Sequence, residues 1–370
     1  MPRIIFSVTN DLSTDQRVHK MCTVFQEMGY EVLLIGRKVS GSLPIERTYK
    51  THRMRLLFRR GFLFYAEFSK RLFLTLLFSR KSILYANDLD TLLPNYLIAK
   101  LTRTKLIYDS HELFTEIPEL NNRPFTKRIW LAIEQPIFKR LMNVITVNQH
   151  IATYYETKYE VPVHVIKNIA PYFAPSSFDL ALAKQIKGPY KMLVVQGSGI
   201  NKDRGAEEAV KMMQFLEHTR LYFIGSGDVL PELHCLVEEL NLQEKVYFLP
   251  KMPYLQLMEY TKIADLGLSL DKPTNLNYQF SLPNKVFDYI QARTPLLVSS
   301  IEAVKNLVEE NEIGAVIPSF NPEEMANTVR SILSDDALQA HWKSNLEQAA
   351  KRYCWENQVA MIKTIVQRLR

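Results

Sequence analysis

The chain has 370 residues and a mass of 43.0 kDa, which predicts two domains of ordinary size. Hydrophobic residues make up 47% and charged residues 23% of it, a composition that excludes a disordered chain and a collagen-like repeat. Three widely separated cysteines exclude a disulfide scaffold and indicate no zinc site. Glycine is scarce, with 12 residues, and the net charge is +7. Both are unevenly distributed along the chain.

Positive charge is concentrated in the first half of the chain. Residues 1–185 hold 26 Lys and Arg against 16 Asp and Glu, a net +10, whereas residues 186–370 hold 20 against 23, a net −3. Such an asymmetry indicates an anionic partner, either a nucleic acid or a membrane surface. The alternative is an uneven surface charge without a partner.

The densest stretch is residues 52–82, called here the basic segment, with eight Lys and Arg, one acidic residue and many Leu, Phe and Tyr. A transmembrane helix needs about 20 mostly apolar residues, and the basic residues interrupt every such run. A basic, aromatic-rich amphipathic segment fits an anionic membrane surface. We therefore expect a membrane and no nucleic acid as the partner. The alternative is that the apolar face packs into the core.

The first half of the chain alternates β-rich apolar runs with helical patterns, which predicts a parallel sheet with helices on both faces. No signal-peptide pattern precedes the first run, so we expect a cytoplasmic protein, peripheral at the inner face of the cell membrane. For the loop after the first strand, an alternative to a ligand-binding role is that Ser13 or Thr14 caps the first helix. Strands are predicted at 3–8, 30–36, 82–88, 105–111, 143–148 and 163–168, and helices at 17–28 and 91–102.

Residues 169–190 hold three prolines and a Gly-Pro step, which predicts a linker. A second alternating series follows. Its strands are predicted at 191–197, 220–225, 245–250, 266–270, 295–299 and 315–319, and its longest helices at 321–335 and 336–351. The fold class is therefore α/β, with two Rossmann-like, doubly wound domains at 1–170 and 191–352, a linker at 171–190 and an interdomain cleft. In open sheets of this class, ligands bind beyond the carboxyl ends of the strands.

Five of the 12 glycines lie within residues 197–227, in the loops after two successive strands. Glycines there allow a ligand to approach the backbone, and a helix N-terminus attracts phosphate. Lys202 and Arg204 lie beside the first cluster, and an arginine can grip phosphate oxygens. The sequence therefore predicts a diphosphate site, although each glycine pair alone is also typical of a turn and the spacing is not the dinucleotide motif GxGxxG. Its other members are Gly197, Ser198, Gly199 and Gly225.

Residues 275–295 run from a polar loop into a helix that is predicted to begin near Asn284. Asp288 lies in its first turns, where a carboxylate can accept hydrogen bonds from two ribose hydroxyls. The alternative is an acidic side chain that is favoured there by the helix dipole. Lys285 stands at the start of the same helix.

Polar side chains also follow the strand predicted at 105–111. His111 is suited either to hydrogen-bond a sugar hydroxyl or to shuttle a proton, and the alternative is a structural histidine. We expect these side chains and those of the loop after the first strand to face the cleft. The residues concerned are Asn10, Asp11, Asp15, Arg17, Asp109 and Glu112.

Taken in order, these motifs resemble those of glycosyltransferase family 4, the retaining GT-B enzymes that use nucleotide-sugar donors. The resemblance covers nearly the whole chain. WENQ resembles the segment where the last helix, here 353–370, crosses back to the first domain. The other matching motifs are NDLSTDQRVHK, YDSHE, VIKN, QGSGINKDRGAEEAV, FIGSGD and SLPNKVFDYIQARTP.

The resemblance implies roles for the matching residues. Arg204, with Lys202, resembles the cationic pair on the donor diphosphate, and Asp288 stands where a glutamate holds the ribose. His111 resembles the histidine near the transferred sugar, so His111, Arg204 and Lys202 are the expected catalytic residues. Asn168 resembles an asparagine at the domain border, and Asn10 and Asp11 lie where the acceptor-side loop meets the donor. The loop under the donor sugar is matched by Ser281, Leu282, Pro283, Asn284 and Lys285.

The chain departs from the family pattern at three positions, and it also lacks the glycine pair that many relatives carry in the first loop. The first glutamate of the family's acidic pair is replaced by Phe280, and Asn277 or Gln279 is the expected substitute. The cation after the first loop glycine is Ser198 here, and the glycine before the Thr-Pro step is Arg293.

The implied reaction moves a sugar, with retention of its configuration, from a UDP- or GDP-linked donor to a hydroxyl of a glycan or lipid-linked acceptor. We expect no metal and no cofactor, because cationic side chains and helix N-termini stabilise the departing diphosphate. That phosphate is expected to help deprotonate the acceptor. Two alternatives remain: a nucleotide-sugar 2-epimerase of the same fold, and a non-catalytic accessory subunit, which the missing carboxylate at Phe280 would fit.

Overall fold

The computed structural model describes residues 1–13, 15–40, 42, 44–174 and 180–368. The chain divides into two compact units. Unit 1 comprises Met1–Asn168 and Gln358–Arg370, and unit 2 comprises Ile169–Asn357.

Unit 1 is built on a parallel sheet of seven strands among the described residues. The strands are β1 (Arg3–Asp11), β2 (Glu31–Arg37), β3 (Lys50–Met54), β4 (Ile83–Asn87), β5 (Lys105–Ser110), β6 (Val144–Thr146) and β7 (Val163–Val165). Their order is β3-β2-β1-β4-β5-β6-β7. The central strands β1 and β4 are almost continuously apolar and buried, as expected when helices cover both faces of a parallel sheet.

Helices connect these strands and cover the sheet. They are α1 (Gln16–Glu27), α2 (Gly61–Phe78), α3 (Leu89–Thr102), α4 (Pro118–Asn121), α5 (Pro124–Phe138) and α6 (Gln149–Tyr159). The last helix of the chain, called α16 below (Trp355–Arg368), starts in unit 2 and belongs to unit 1 from Gln358 onward. Gln358 accepts a hydrogen bond from the backbone N–H of Lys167 at 2.8 Å, which ties this helix to the chain that follows β7.

Unit 2 repeats the same architecture with six strands in the described chain. The strands are β8 (Lys191–Gly197), β9 (Thr219–Gly225), β10 (Val246–Leu249), β11 (Leu266–Ser269), β12 (Leu296–Val298) and β13 (Gly314–Val316), in the order β10-β9-β8-β11-β12-β13. Along β8, Met192 and Val194 enter one buried cluster, and Leu193 and Val195 enter the other. Because side chains alternate between the two faces of a strand, both faces of this sheet carry a core.

The helices of unit 2 fill the connections between these strands. They are α7 (Ala181–Lys187), α8 (Ala206–Met212), α9 (Leu230–Glu239), α10 (Tyr254–Ile263), α11 (Leu276–Gln279), α12 (Asn284–Ala292), α13 (Glu302–Asn311), α14 (Pro322–Ser334) and α15 (Asp336–Arg352).

The strand order reverses once in each sheet, between β1 and β4 in unit 1 and between β8 and β11 in unit 2. Connections leave in opposite directions at such a switch point, so a crevice opens beyond the carboxyl ends of the two strands. In unit 1 the side chains there come from the ends of β1 and β4. In unit 2 they come from the ends of β8 and β11.

The structure corrects three predictions. Asp15, not Ser13, caps the first helix, because its carboxylate accepts the N–H of Val18 at 3.0 Å; Thr14 lies outside the described residues. Strand β3 was not predicted, and it takes up the start of the basic segment. The stretch predicted as a linker contains helix α7.

Helix α2 holds most of the apolar residues of the basic segment. Phe64, Phe68, Leu72 and Leu76 are spaced four residues apart and are buried on one face of the helix. The prediction that an apolar face packs into the core therefore holds for this stripe. Across the described residues, no helix has the length and apolarity that a membrane crossing requires.

The loops after β8 and β9 pack backbone against backbone. Ser226 N–H donates to the carbonyl of Gly197 at 3.0 Å, and Ile200 N–H donates to the carbonyl of Ser226 at 3.1 Å. A Cβ on Gly225 would lie 1.9 Å from the Gly197 oxygen, and the φ of Gly225 is +138°. Glycine is therefore required at this position by the contact between the loops.

We expect Gly225→Ala to destabilise unit 2 by about 2–4 kcal/mol, because the new methyl group overlaps a backbone carbonyl at a glycine-only φ. Urea denaturation of the two proteins measures the loss. Gly199→Ala is the matched control, since a Cβ there meets nothing within 4 Å. Equal midpoints for wild type and Gly225→Ala would contradict the packing argument.

Candidate functional site

A buried ion pair fixes the end of β5 in unit 1. Asp109 accepts two hydrogen bonds from Arg17, Nη2 to Oδ1 at 2.7 Å and Nε to Oδ2 at 3.1 Å, and a third from the hydroxyl of Tyr85 at 2.9 Å. Burial raises the pKa of Asp109, but the charges of Arg17 and His111 outweigh it and hold the pKa well below its usual range. Arg17 and Asp109 are thus ionised and bound to each other in the interior.

His111 lies next to this pair and between two carboxylates. Its Nδ1 lies 3.1 Å from Asp88 Oδ2, and its Nε2 lies 3.6 Å from Asp109 Oδ2. Burial alone would lower the pKa of His111, yet the charges of Asp88 and Asp109 raise it well above its usual value. The two carboxylates therefore favour the imidazolium form of the ring.

Asp90 is a second buried carboxylate at the same switch point. It lies in the first turn of α3 and accepts a hydrogen bond from the hydroxyl of Thr9, at the end of β1. Burial and the neighbouring charge of Asp88 raise the pKa of Asp90 to about 7, against the opposing effect of Thr9. Unit 1 thus gathers Asp88, Asp90, Asp109 and His111 where β1, β4 and β5 end.

The predicted site residues in the loop after β1 form hydrogen bonds and ion pairs with other residues of unit 1. Asp11 pairs with Arg53 at 2.9 Å and accepts the N–H of Ser13 at 3.1 Å. Asn10 donates to Asp15 at 3.1 Å, and Asp15 caps α1.

Two further predicted residues border this group. Asn168 accepts a hydrogen bond from the ammonium of Lys20 at 2.9 Å. The backbone carbonyl of Glu112 accepts from the hydroxyl of Ser110 at 2.8 Å. Ligand contacts for the loop, for Asn168 and for Glu112 stay predictions.

In unit 2, the glycines of the loops after β8 and β9 have two different roles. Gly225 and Gly227 are needed because a Cβ would overlap backbone of the neighbouring loop. Gly197 and Gly199 have open space around them, and Ser198 between them is exposed. The part of this loop with room for a ligand is therefore Gly197 to Gly199.

A cationic cluster lies at the switch point of unit 2. Asp271 follows β11 and is buried, with Arg204 Nη1 3.3 Å from its Oδ2 and Lys285 Nζ 3.7 Å from its Oδ1. The guanidinium of Arg204 also lies 4.8 Å above the centre of the Tyr278 ring. Burial lowers the pKa of Lys285, and the charge of Asp271 counteracts this. Two cations thus share one buried carboxylate.

Lys202 stands outside this cluster. Its side chain is exposed, and its backbone N–H donates to the carboxylate of Asp228 at 3.2 Å. The structure therefore groups Arg204 with Lys285, a residue 81 positions away, rather than with Lys202.

Asp288 lies in α12 and accepts hydrogen bonds from one residue of α10 and one residue of β8. The hydroxyl of Tyr254 donates to its Oδ1 at 2.5 Å, and Gln196 Nε2 donates to its Oδ2 at 3.3 Å. Gln196 is in turn held by the hydroxyl of Thr261. A carboxylate offers about four acceptor lone pairs, which is the chemistry that the predicted ribose contact requires.

The loop before α12 is held in place by backbone contacts. Ser281 N–H donates to the carbonyl of Tyr278 at 3.0 Å, while its hydroxyl is buried and has no hydrogen-bond partner among the described residues. Leu282 and Pro283 are partly buried, Pro283 precedes the first residue of α12, and Asn284 is exposed. An unsatisfied buried hydroxyl marks Ser281 as a candidate ligand contact.

The structure accounts for one of the departures from the family pattern. Arg293 has a left-handed φ of +58°, a conformation that glycine adopts without strain, which fits the glycine of the family pattern. Its Nη1 donates to the carbonyl of Phe173 at 2.8 Å, and its Nε lies 3.2 Å from Glu347. At the Phe280 position, Asn277 is buried, and Gln279 is exposed and donates to the carbonyl of Pro273. Substitution of the missing glutamate by either stays a prediction.

Sequence reasoning missed four residues of these clusters: Asp88, Asp90, Asp271 and Tyr254. Asp88 is the last residue of the strand predicted at 82–88, as His111 is of the strand predicted at 105–111, and Asp271 directly follows the strand predicted at 266–270. Their positions at strand ends were therefore visible in the sequence. Their roles depend on partners that lie far away in the chain, and those partners were not visible.

Two family models match successive parts of the chain. The model described as Glycosyltransferase Family 4 matches residues 15–170, and the model described as Glycosyl transferases group 1 matches residues 183–349. The chain belongs to the family 4 type of glycosyltransferases. The resemblance expected from its motifs is confirmed.

Solved structures share the fold. Sucrose-phosphate synthase from Thermosynechococcus elongatus has a TM-score of 0.81 at 16% identity, covering 100% of this chain and 99% of that one. HepE of Anabaena in complex with UDP-glucose has a TM-score of 0.76 at 15% identity, with the same coverage of 100% and 99%. The predicted fold class, two Rossmann-like domains of the GT-B type, is confirmed.

Curated relatives match over shorter stretches. An uncharacterized glycosyltransferase of Methanocaldococcus jannaschii is 24% identical over 230 residues, 58% of this chain and 57% of the relative. The alpha-D-kanosaminyltransferase of Streptomyces kanamyceticus is 22% identical over 139 residues, 38% of this chain and 34% of the relative. The chain therefore spans little more than half the length of the first of these relatives and about a third of the second.

The raised pKa of Asp90 makes stability depend on pH. Folded Asp90 keeps its proton up to pH of about 7, whereas the unfolded carboxyl, with its ordinary pKa of 3.8, releases it earlier. This group therefore lowers the free energy of unfolding as pH rises from 4 to 7, by at most about 1.4 kcal/mol per pH unit. We expect Asp90→Asn to gain stability relative to wild type across that window, measured by urea denaturation.

The exposed Asp336→Asn serves as the control and should follow the wild-type curve. Parallel curves for wild type and Asp90→Asn between pH 4 and 7 would show that Asp90 is ionised in the folded protein.

Proposed function

We propose that this protein transfers a sugar from a nucleotide-sugar donor to an acceptor hydroxyl, with retention of configuration. The observation that carries the proposal is the cationic cluster of unit 2, where Arg204 and Lys285 both lie beside the carboxylate of Asp271 at the switch point. Two cations at this position suit a diphosphate. Family membership supports the same reaction.

The remaining residues of unit 2 fit the other parts of a nucleotide sugar. The open backbone from Gly197 to Gly199 accommodates phosphate oxygens, and Ser281 offers an unsatisfied hydroxyl. The carboxylate of Asp288 offers acceptors of the kind that ribose hydroxyls require. A uridine donor is favoured, because HepE, which shares the fold, forms complexes with UDP and UDP-glucose.

In this proposal the diphosphate is the leaving group, and Arg204 and Lys285 stabilise its developing charge. Such pre-positioned electrostatic stabilisation is usually the largest contribution to catalysis of this kind. The reaction then needs no metal ion and no cofactor. The departing phosphate takes the proton of the acceptor hydroxyl on the same face of the sugar, which gives retention. Unit 1, with His111, receives the acceptor and the transferred sugar.

Arg204→Ala tests the diphosphate assignment. Loss of a desolvated charged contact to phosphate costs about 2–4 kcal/mol, so we expect UDP affinity to fall about 30-fold or more by titration calorimetry, and transfer to be lost. Unchanged far-UV circular dichroism shows that the fold is kept.

Arg352→Ala, on the exposed face of α15, is the matched control and should bind UDP like wild type. If no nucleotide binds the wild-type protein, the accessory-subunit alternative is favoured. If a nucleotide sugar is converted without acceptor, the epimerase alternative is favoured.

We further propose that the acceptor is presented at an anionic membrane, which the basic segment contacts. Beside its buried stripe, this segment exposes large apolar side chains: Leu57 is 80%, Phe62 71% and Phe78 84% exposed. Arg55, Arg59, Arg60, Lys70, Arg71 and Arg80 are exposed around them.

The single acidic residue of the basic segment is turned inward. Glu67 accepts the backbone N–H groups of Leu57 and Phe58 at 2.9–3.1 Å and pairs with Arg71 at 2.7 Å. This holds the loop against α2 and leaves the outer surface basic and aromatic, the chemistry that suits anionic lipid headgroups.

Flotation with liposomes of phosphatidylglycerol and phosphatidylcholine tests the surface. We expect binding at 50 mM salt, weakening at 300 mM salt because charges are screened, and a loss of at least fivefold in Arg59→Glu/Arg60→Glu. Lys139→Glu/Arg140→Glu changes the net charge equally at another exposed site and should bind nearly like wild type. An equal loss of liposome binding in both variants would show that the effect comes from net charge alone. No binding of the wild-type protein at low salt would contradict the membrane proposal.

A further inference from the structure

Asp88 has a backbone conformation that is almost reserved for glycine. It follows β4 directly, with a φ of +58° and a ψ of 167°. A side chain is strained in this region, and such strain persists only where surrounding contacts hold it. Because residues in such conformations cluster at functional sites, the contacts of Asp88 indicate what the strain achieves.

Among the contacts that hold Asp88 in this conformation, two reach the same residue, His111. Its backbone N–H donates to the carbonyl of Asp109 at 2.9 Å. Its Oδ1 accepts the backbone N–H of His111 at 2.8 Å, and its Oδ2 lies 3.1 Å from His111 Nδ1. One carboxylate therefore fixes both the main chain and the ring of His111.

The charges around the ring favour its cationic form. Asp88 after β4 and Asp109 on β5 flank the two ring nitrogens, and their charges raise the pKa of His111 against the effect of burial. Asp90 on α3 lies in the same cluster, where its own pKa is about 7. Arg17 on α1 is neutralised by its two hydrogen bonds to Asp109. Glu112, the next residue in the chain, adds a further negative charge near Asp90.

We propose that Asp88 is a positioning residue that holds His111 as an imidazolium and fixes the orientation of its ring. Nε2 has no hydrogen-bond partner among the described residues, and Asp109 Oδ2 at 3.6 Å is beyond hydrogen-bond distance. A doubly protonated ring has no lone pair, so His111 acts as a donor and a positive charge, not as a base. This part rests on the proposed function, in which the positive charge of His111 acts on the transferred sugar and the acceptor.

The first experiment needs neither donor nor acceptor. Histidine ring signals are followed by NMR from pH 5 to 10, and His111→Gln assigns the signal of His111. We expect the wild-type ring to stay protonated at pH 7.5, and its titration midpoint to fall by at least one pH unit in Asp88→Asn.

Asp88→Gly supplies a second variant, because glycine adopts the observed backbone conformation without strain while the carboxylate is removed. It should give the same lowered midpoint. Asp90→Asn is the matched control: it removes a neighbouring carboxyl that bonds to Thr9 rather than to the ring, and it should move the midpoint less. A neutral His111 at pH 7 in wild type, or an unchanged midpoint in both Asp88 variants, overturns the proposal.

A second readout separates positioning from a merely structural role. With UDP-glucose as the donor probe and water or a glycan as acceptor, wild-type kcat should stay nearly constant from pH 6 to 8.5. In Asp88→Gly, kcat at pH 8 should be at least tenfold below its value at pH 6, because the ring loses its proton. A uniform loss at all pH values would contradict a role through the charge of His111. If wild type binds no nucleotide but the NMR midpoints shift as expected, the proposed function fails and the role of Asp88 stands.

Discussion

The architecture of unit 1 depends on the desolvated ion pair between Arg17 and Asp109. It joins α1 to β5, and Arg17 extends it by donating to the carbonyl of Ile166 at 2.8 Å, in the chain after β7. Removing one partner of a buried pair leaves an uncompensated charge and costs about 3–5 kcal/mol. The pair therefore locks the position of Asp109, and with it the electrostatic environment of His111.

Unit 2 uses the same kind of interaction with a different charge balance. In unit 1, Arg17 and Asp109 neutralise each other and are closed to solvent. In unit 2, one buried carboxylate, Asp271, faces two cations that stay partly accessible, Arg204 and Lys285. The first arrangement stabilises the fold, whereas the second places two cationic side chains beside the ends of two strands.

Much of the architecture could be predicted from sequence because parallel strands buried on both faces are continuous apolar runs. β3 was missed because it lacks such an apolar run. Its residues, Lys50–Met54, are mostly polar and largely exposed, as an edge strand allows. Helix α7 was missed because a Gly-Pro step and three prolines marked its surroundings as a linker.

The candidate site residues divide along similar lines. Arg204, Asp288 and His111 lie in motifs whose residue types and positions after strands are visible in the sequence. Their partners are not visible, because Asp271 lies 67 residues after Arg204 and Tyr254 lies 34 residues before Asp288. Charge state and orientation depend on such long-range contacts, and these exist only once the sheet has formed.

The backbone contact between the loops after β8 and β9 has a consequence for the dynamics of unit 2. Two loops that share hydrogen bonds through Gly197, Ile200 and Ser226 move as one body with the sheet. A ligand that binds there orders little additional chain, so most of its contact energy is retained as affinity. Such a surface is ready before its ligand arrives, and its association rate is set by diffusion and charge rather than by loop rearrangement.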